Sequence, residues 1–382
     1  MKEWAARLLL LAAGSVVALV GAEMYLRAFA PQPLNVLRMR ADGVLLHEPN
    51  LDVTLTGADY RSQVRINSAG LRDVERPLRK PEGVTRLLVL GDSMVEGLQV
   101  ELEQTLSKRL AARLAEAMPG RAFDAINAGV SGSTGPMARL YLEREGLAYD
   151  PDLVIVAITT RNDVQEAAEM REPRLPPGYN LRTFVRSRFH LYGLAEKAVN
   201  NAPRLRNALA ALGILSPAPP VRVRAGVSDE VHLFDGSLAP FEVLGYERLF
   251  KAYDQIIKAC RERGVPVLFV IIPSYFQASG YAAALGEPGI VGRMVKNRRE
   301  IQDRLLGFFA NRRVPALDLL PGAKLKPAAY FLPSDQHFTV AGHAFAGGEI
   351  ARAILDNNLL PRRAGVPAPE EAPARKGRVQ DG

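Results

Sequence analysis

Four short segments of this chain bring together residue types that can do covalent chemistry. The first is Gly91-Asp92-Ser93, which follows a short apolar run. A serine in the turn after a buried strand exposes its hydroxyl while its own backbone N–H points into the same pocket. That geometry suits a nucleophile that also helps bind an oxyanion. The second segment runs from Asn127 to Gly132 and carries two glycines. Glycine lets the backbone approach a ligand and offer an N–H with no side chain in the way. The third, Thr160 to Asp163, supplies Asn162, whose amide can donate to a developing oxyanion; the same residues also fit an ordinary Asx turn. The fourth runs from Pro333 to His343 and holds Asp335 and His337 two residues apart. A serine nucleophile needs a base, and the base needs an orienting carboxylate. Of the five histidines, His337 is the best placed as base. His343 opens the last helix and reads as structural. His47, His190 and His232 lie away from the strand-end segments.

These segments need a frame, and the hydrophobic pattern provides one. Arg86–Leu90 reads as a strand feeding the Gly-Asp-Ser turn, and Leu102–Met118 has apolar residues at helical spacing. Phe123–Ile126 is a second strand and Leu153–Ile158 a third, buried by composition. Pro136–Tyr149 is a helix with proline near its first turn. Tyr246–Arg263, Arg293–Asn311 and His343–Leu355 read as helices, and Val265–Ile272 and Val314–Leu319 as strands. Strands alternating with helices imply a parallel sheet covered on both faces, which binds ligands at the C-terminal ends of its strands. The four polar segments fall at those ends. Residues 31–80 read as an irregular N-terminal segment. Between about 165 and 245 the rhythm is lost in a proline- and arginine-rich stretch, read as a cap-like insertion on a core spanning 81–360. Its Arg171, Arg174, Arg182, Arg186 and Arg188 are candidates for attracting an anionic glycan or lipid head group.

The ends of the chain differ from this body. Leu8–Ala22 is apolar apart from Ser15, and extending it back to Trp4 gives a helix of roughly 28 Å, close to the thickness of a bilayer core. Residues 1–30 therefore read as a signal anchor or a signal peptide, with the remainder outside the cytoplasm. Residues 361–382 hold four prolines and almost no large apolar side chain, and read as a disordered tail. A single cysteine, Cys260, excludes an intrachain disulfide and any Cys-rich zinc module. No P-loop, zincin or dinucleotide fingerprint occurs, and neither a cofactor nor a metal site is expected. The net charge of +8 comes from scattered arginines rather than a basic stripe with stacking aromatics, which argues against nucleic-acid binding.

Taken in order, Gly-Asp-Ser, Asn-x-Gly-x-x-Gly, Asn-Asp and Asp-x-His resemble the SGNH (GDSL) hydrolase family. The upstream Ile66–Glu75 resembles a segment of membrane-anchored bacterial members. The resemblance spans about residues 60–360. It implies a three-layer α/β/α flavodoxin-like fold and ester hydrolysis through an acyl-serine. By position, Ser93 is the implied nucleophile, His337 the general base and Asp335 its orienting carboxylate. The N–H groups of Ser93 and Gly132 and the amide of Asn162 form the implied oxyanion hole. Two departures stand out. Thr160 occupies a position that is glycine in many members, which would narrow or reshape the pocket beside Asn162. Ser334 stands where many members have the triad aspartate. The Asp335-x-His337 spacing resembles a variant among alginate-type polysaccharide O-acetyltransferases.

Three readings follow. The first is an extracytoplasmic serine esterase acting on a lipid, glycan or small ester. The second is an O-acyltransferase using the same triad on an envelope or exported polysaccharide. The third is a non-catalytic glycan-binding protein on the same scaffold, against which the intact Ser93, Asn162, Asp335 and His337 argue. Oligomeric state is not readable from the sequence.

Overall fold

A computed structural model describes residues 2–32, 34–160, 162–170, 179–212, 240–280 and 299–361. The chain opens with α1 (Lys2–Phe29). The most apolar 18-residue window of its Glu3–Phe29 stretch has a mean hydropathy of 2.0 and none of it is buried, which fits a signal sequence or a membrane anchor. Two antiparallel strand pairs follow: β1 (Leu37–Met39) with β2 (Leu45–His47), and β3 (Leu51–Thr56) with β4 (Arg61–Ile66). The irregular segment expected over 31–80 is therefore corrected to two small ladders. Their strands are three and six residues long, and most polar residues of the longer pair face solvent while Ser62 is buried, so periodicity has little length in which to show. Val36, Leu51, Val64 and Ile66 make a small core of their own.

The body alternates as the pattern predicts. In order come β5 (Val84–Gly91), α2 (Ser93–Glu96), α3 (Leu106–Ala117), β6 (Ala122–Gly129), α4 (Gly135–Arg144), β7 (Leu153–Thr159) and α5 (Asp163–Glu169). Within the insertion lie α6 (Tyr179–Arg188), α7 (His190–Asn200) and α8 (Pro203–Ala211). Then follow α9 (Pro240–Glu262), β8 (Val267–Ile272), α10 (Glu300–Asn311), β9 (Ala316–Asp318) and α11 (Val340–Asp356). The boundaries differ from the sequence reading by a few residues, as frayed ends allow. Arg171, Arg174, Arg293, His232 and the 362–382 tail lie outside the described residues.

The five core strands form one parallel sheet in the order β6-β5-β7-β8-β9. Every residue of β7 and β8 is buried, as a strand covered on both faces requires. Alternate side chains feed the two cores. Leu88 and Leu90 join Tyr253, Phe269 and Phe309 under α4, α9 and α10, while Leu87 and Val89 join Leu110, Val270 and Ile350 under α3 and α11. This is the three-layer α/β/α architecture. From β5 the chain first adds β6 on one side and then crosses to β7 on the other. That reversal opens a crevice at the C-terminal ends of β5 and β7, where Ser93 and Asn162 follow.

Of the five candidate arginines, the three described ones, Arg182, Arg186 and Arg188, have partners within the protein. Arg182 donates to the Tyr192 hydroxyl at 3.0 Å, Arg186 pairs with Glu196 at 3.6 Å, and Arg188 pairs with Glu48 at 3.6 Å while lying over the Phe184 ring. They tie α6 to α7 and to the N-terminal ladders.

Candidate active site

Ser93 is the first residue of α2, and the reason is local. Asp92 caps the helix by accepting the Met94 N–H at 3.0 Å, and Gly97 ends it one turn later with a left-handed φ of 67°. At the first position of a helix, the Ser93 N–H has no intrahelical acceptor. The Ser93 hydroxyl donates to Nε2 of His337 at 2.7 Å. On the far side of the ring, Nδ1 of His337 is hydrogen-bonded to Asp335 Oδ1. That contact sets the tautomer, with the proton on Nδ1 and Nε2 free to accept. Burial alone would raise the Asp335 carboxyl, but the His337 hydrogen bond, the charge of that ring and a Gln99 hydrogen bond outweigh it and hold the carboxyl below its ordinary range.

Asp335 and His337 meet because the chain reverses between them. Gln336 takes a left-handed φ of 64°, and the turn is closed by Leu332 N–H to His337 O at 2.8 Å and Gln336 N–H to Leu332 O at 3.0 Å. Two residues apart in a strand would share a face without touching; the turn brings their side chains into contact.

A cleft of about 230 Å³ opens at this point, lined by Ser93, Asn162, Glu166, Ser274, Tyr275 and His337 among others. The Asn162 amide donates to Glu166 at 2.8 Å, which uses one of its two hydrogens. Gly132 sits in the loop after β6 with φ 75°, where an added Cβ would meet nothing, but it is not among the residues lining the cleft. Thr160 does not line the cleft either. Its hydroxyl donates to Gln277 at 2.6 Å and accepts the Ser274 N–H at 3.0 Å, so it ties the end of β7 to the loop after β8. Narrowing of the pocket by Thr160, expected from its replacement of glycine, is not what the structure holds. His343 is buried, accepts the Leu106 N–H at 3.1 Å and is pushed down to about 3 by burial, so it is a neutral joint between α11 and α3.

Beneath the nucleophile lie two buried carboxyls. Thr159 donates its hydroxyl to Asp92 at 2.9 Å and its N–H to Asp163 at 3.0 Å. Burial raises Asp92, and burial together with the charges of Asp92 and Glu166 raises Asp163 well above the ordinary range. Of the two, Asp163 is pushed further toward the neutral form, because it lies beside the charges of both Asp92 and Glu166.

Sequence reasoning passed over a set of residues that hold these loops. Glu96, the last residue of α2, is fully buried; it pairs with His47 at 2.6 Å and accepts both the N–H and the hydroxyl of Ser131. Burial would raise Glu96, but His47 and Ser131 hold it below its ordinary range. Arg72, also fully buried, donates to the carbonyls of Glu96, Gly97 and Val100. Asp73 accepts the Asn127 N–H at 2.7 Å. At Gly129 an added Cβ would lie 2.3 Å from the Glu96 N, so only glycine lets β6 run so close to α2. The available signals were Glu96 inside Gly-Asp-Ser-x-x-Glu and Arg72-Asp73 inside Ile66–Glu75.

Comparison with known proteins shows the family of the chain. The model of the GDSL-like lipase/acylhydrolase family matches residues 89–345. The chain belongs to that family, and it is a serine hydrolase acting on ester bonds. No curated protein matches it. Among solved structures, it is similar to a lipase/acylhydrolase from Enterococcus faecalis at 16% identity, covering 73% of this chain and 100% of that one, with a TM-score of 0.37. It is also similar to a mutant acetyl-xylooligosaccharide esterase from Geobacillus at 12% identity, covering 71% and 94%, with a TM-score of 0.40. These likenesses are too distant to say anything about substrate.

Proposed function

We propose that this chain is an extracytoplasmic serine esterase that removes a short acyl group through an acyl-serine intermediate. The observation that carries the reading is the continuous relay from Ser93 through His337 to Asp335. Ser93 Oγ attacks the ester carbonyl carbon while its proton passes to His337 Nε2. The tetrahedral oxyanion is bound by the Ser93 N–H and the Asn162 amide, the two donors of the implied set that line the cleft. Collapse breaks the bond to the alcohol, which leaves with the proton from His337. Water then attacks the acyl-serine, His337 takes its proton, and the acid departs as Ser93 regains its hydrogen. Asp335 keeps the ring oriented and stabilises the imidazolium.

Two features support the finer points. The cleft is smaller than the roughly 300–1,000 Å³ pockets that hold drug-sized ligands, which favours an acetyl or similarly short acyl group. The His337 and Asp335 side chains keep 21% and 24% of their exposure, so water reaches the site; transfer to a sugar hydroxyl requires its exclusion. Hydrolysis is favoured over acyl transfer on that ground. Helix α1 is read as the anchor that places the catalytic body outside the membrane.

The test is a series of p-nitrophenyl esters from acetate to decanoate. A kcat/KM that peaks at two to four carbons is expected. A peak at eight or more would overturn the short-acyl reading. Labelling of intact cells by a membrane-impermeant amine reagent is expected to reach the body; modification only after lysis would overturn the location.

A further inference from the structure

The matched family region begins at residue 89, yet the carboxylate that holds the catalytic loop comes from outside it. Asp59 stands at the tip of the β3–β4 hairpin. Its Oδ2 accepts the backbone N–H of Ser334 at 2.7 Å and of Asp335 at 3.0 Å. On the other side, Gln99 donates to Asp335 Oδ1 at 3.2 Å, and Gln99 is itself fixed between Gly97 and Val100, whose carbonyls Arg72 holds. The triad carboxylate is thus held twice, by its backbone and by its side chain.

From this geometry we infer that Asp59 is a positioning residue of the active site, and that the hairpin is part of the catalytic apparatus. The inference rests on the proposed triad. Its physical logic is that the loop contains a residue in a costly conformation. A non-glycine residue at positive φ, as at Gln336, is strained and persists only where its surroundings over-determine it. Two N–H donors converging on one carboxylate oxygen supply that constraint. Charge-assisted bonds of this kind are about twice as strong as neutral ones. Without Asp59, Ser334 and Asp335 lose their acceptor and the triad carboxylate drifts from Nδ1. Misplacement by about 1 Å is enough to cost up to 10²-fold in rate. Because both bonds go to a single oxygen, an asparagine carbonyl can replace it. Geometry and charge are therefore separable at this position.

The experiment compares full-length wild type with Asp59→Ala, Asp59→Ser and Asp59→Asn in detergent. It reads kcat and KM for p-nitrophenyl acetate and the rate of fluorophosphonate labelling at Ser93. Asp59→Ala is expected to lower kcat and the labelling rate about 10- to 100-fold, with KM within two-fold. Asp59→Asn is expected to restore most of the rate. Asp59→Ser, whose hydroxyl is too short to reach, is expected to follow Asp59→Ala and replaces it should that variant fail to fold. Wild-type rates in Asp59→Ala or Asp59→Ser, whatever the melting temperature, would overturn the inference. So would an Asp59→Asn as slow as Asp59→Ala. Wild type that takes no label would instead sink the triad reading itself.

Discussion

Two regions of this molecule meet at the active site, and they are built on different terms. The strand-end loops carry Ser93, Asn162, Asp335 and His337, polar groups at the edge of an open cleft. The segment from β2 to Asp73 carries His47, Asp59, Arg72 and Asp73, mostly buried, each bonded to one of those loops or to an element beside it. The loops carry the candidate reacting groups and are joined to one another by side-chain bonds such as Thr159 to Asp92 and Thr160 to Gln277. The N-terminal segment holds no reacting atom and supplies the rigidity. A site with this division should lose rate when the loops, or Asp59 at the half-buried tip that touches them, are altered, and stability first when the buried part of the brace, His47, Arg72 and Asp73, is altered.

The largest effect is expected in the loops. His337→Ala should lower kcat roughly 10⁴- to 10⁶-fold, with little change in melting temperature. Asn162→Ala should lower kcat about 10²- to 10³-fold, the usual loss for one oxyanion donor, measured with a saturating short-chain ester. Retained activity in Asn162→Ala would place the oxyanion elsewhere. In the brace, Arg72→Ala empties the space of a fully buried side chain and leaves the Val100 carbonyl without its donor, while Glu96 O keeps the Asn127 amide and Gly97 O keeps the Val100 N–H. A loss of about 3 kcal/mol or more is expected, seen as a melting temperature lower by roughly 5–10 °C. An unchanged melting temperature with a large fall in kcat would erase the distinction between the two regions.

The smallest effect is set by pH. Asp163 has a folded-state pKa raised above its unfolded value, so the stability it contributes is fully present at low pH. That contribution is lost as pH rises through the folded value. Asp163→Asn removes the penalty while keeping an acceptor for the Thr159 N–H. The variant should gain in melting temperature relative to wild type as pH rises from about 5 to 9, in melts followed by circular dichroism. A constant difference across that range would show that Asp163 is not the carboxyl that resists ionisation.

The contrast also explains what could be read from the sequence. The parallel core was legible because Leu153–Ile158 and Val265–Ile272 are near-continuous apolar runs, and Leu102–Met118 keeps a helical period. Ser93 and Asn162 stood out as candidates because strand ends are where such a sheet places its polar groups, and Asp335 and His337 because they stand two apart in a loop leading into the last helix. His47 was not. It sits in a three-residue strand, 49 positions before its partner Glu96, and no local pattern joins residues that meet only through the fold. Asp59 was missed for the same reason, at 275 and 276 positions from the N–H groups it accepts. Thr160 was legible only in part: its type at a glycine position implied a narrowed or reshaped pocket, and its hydroxyl instead bonds Gln277 and Ser274, of which Ser274 lines the cleft.

The central claim is that Ser93 is activated by His337 and Asp335. Its most direct test is treatment of the full-length protein with a fluorophosphonate, followed by intact mass and peptide mapping. The account predicts one adduct, on Ser93, absent in Ser93→Ala and slowed at least a hundredfold in His337→Ala. An adduct on another residue, or labelling of His337→Ala at the wild-type rate, would contradict it.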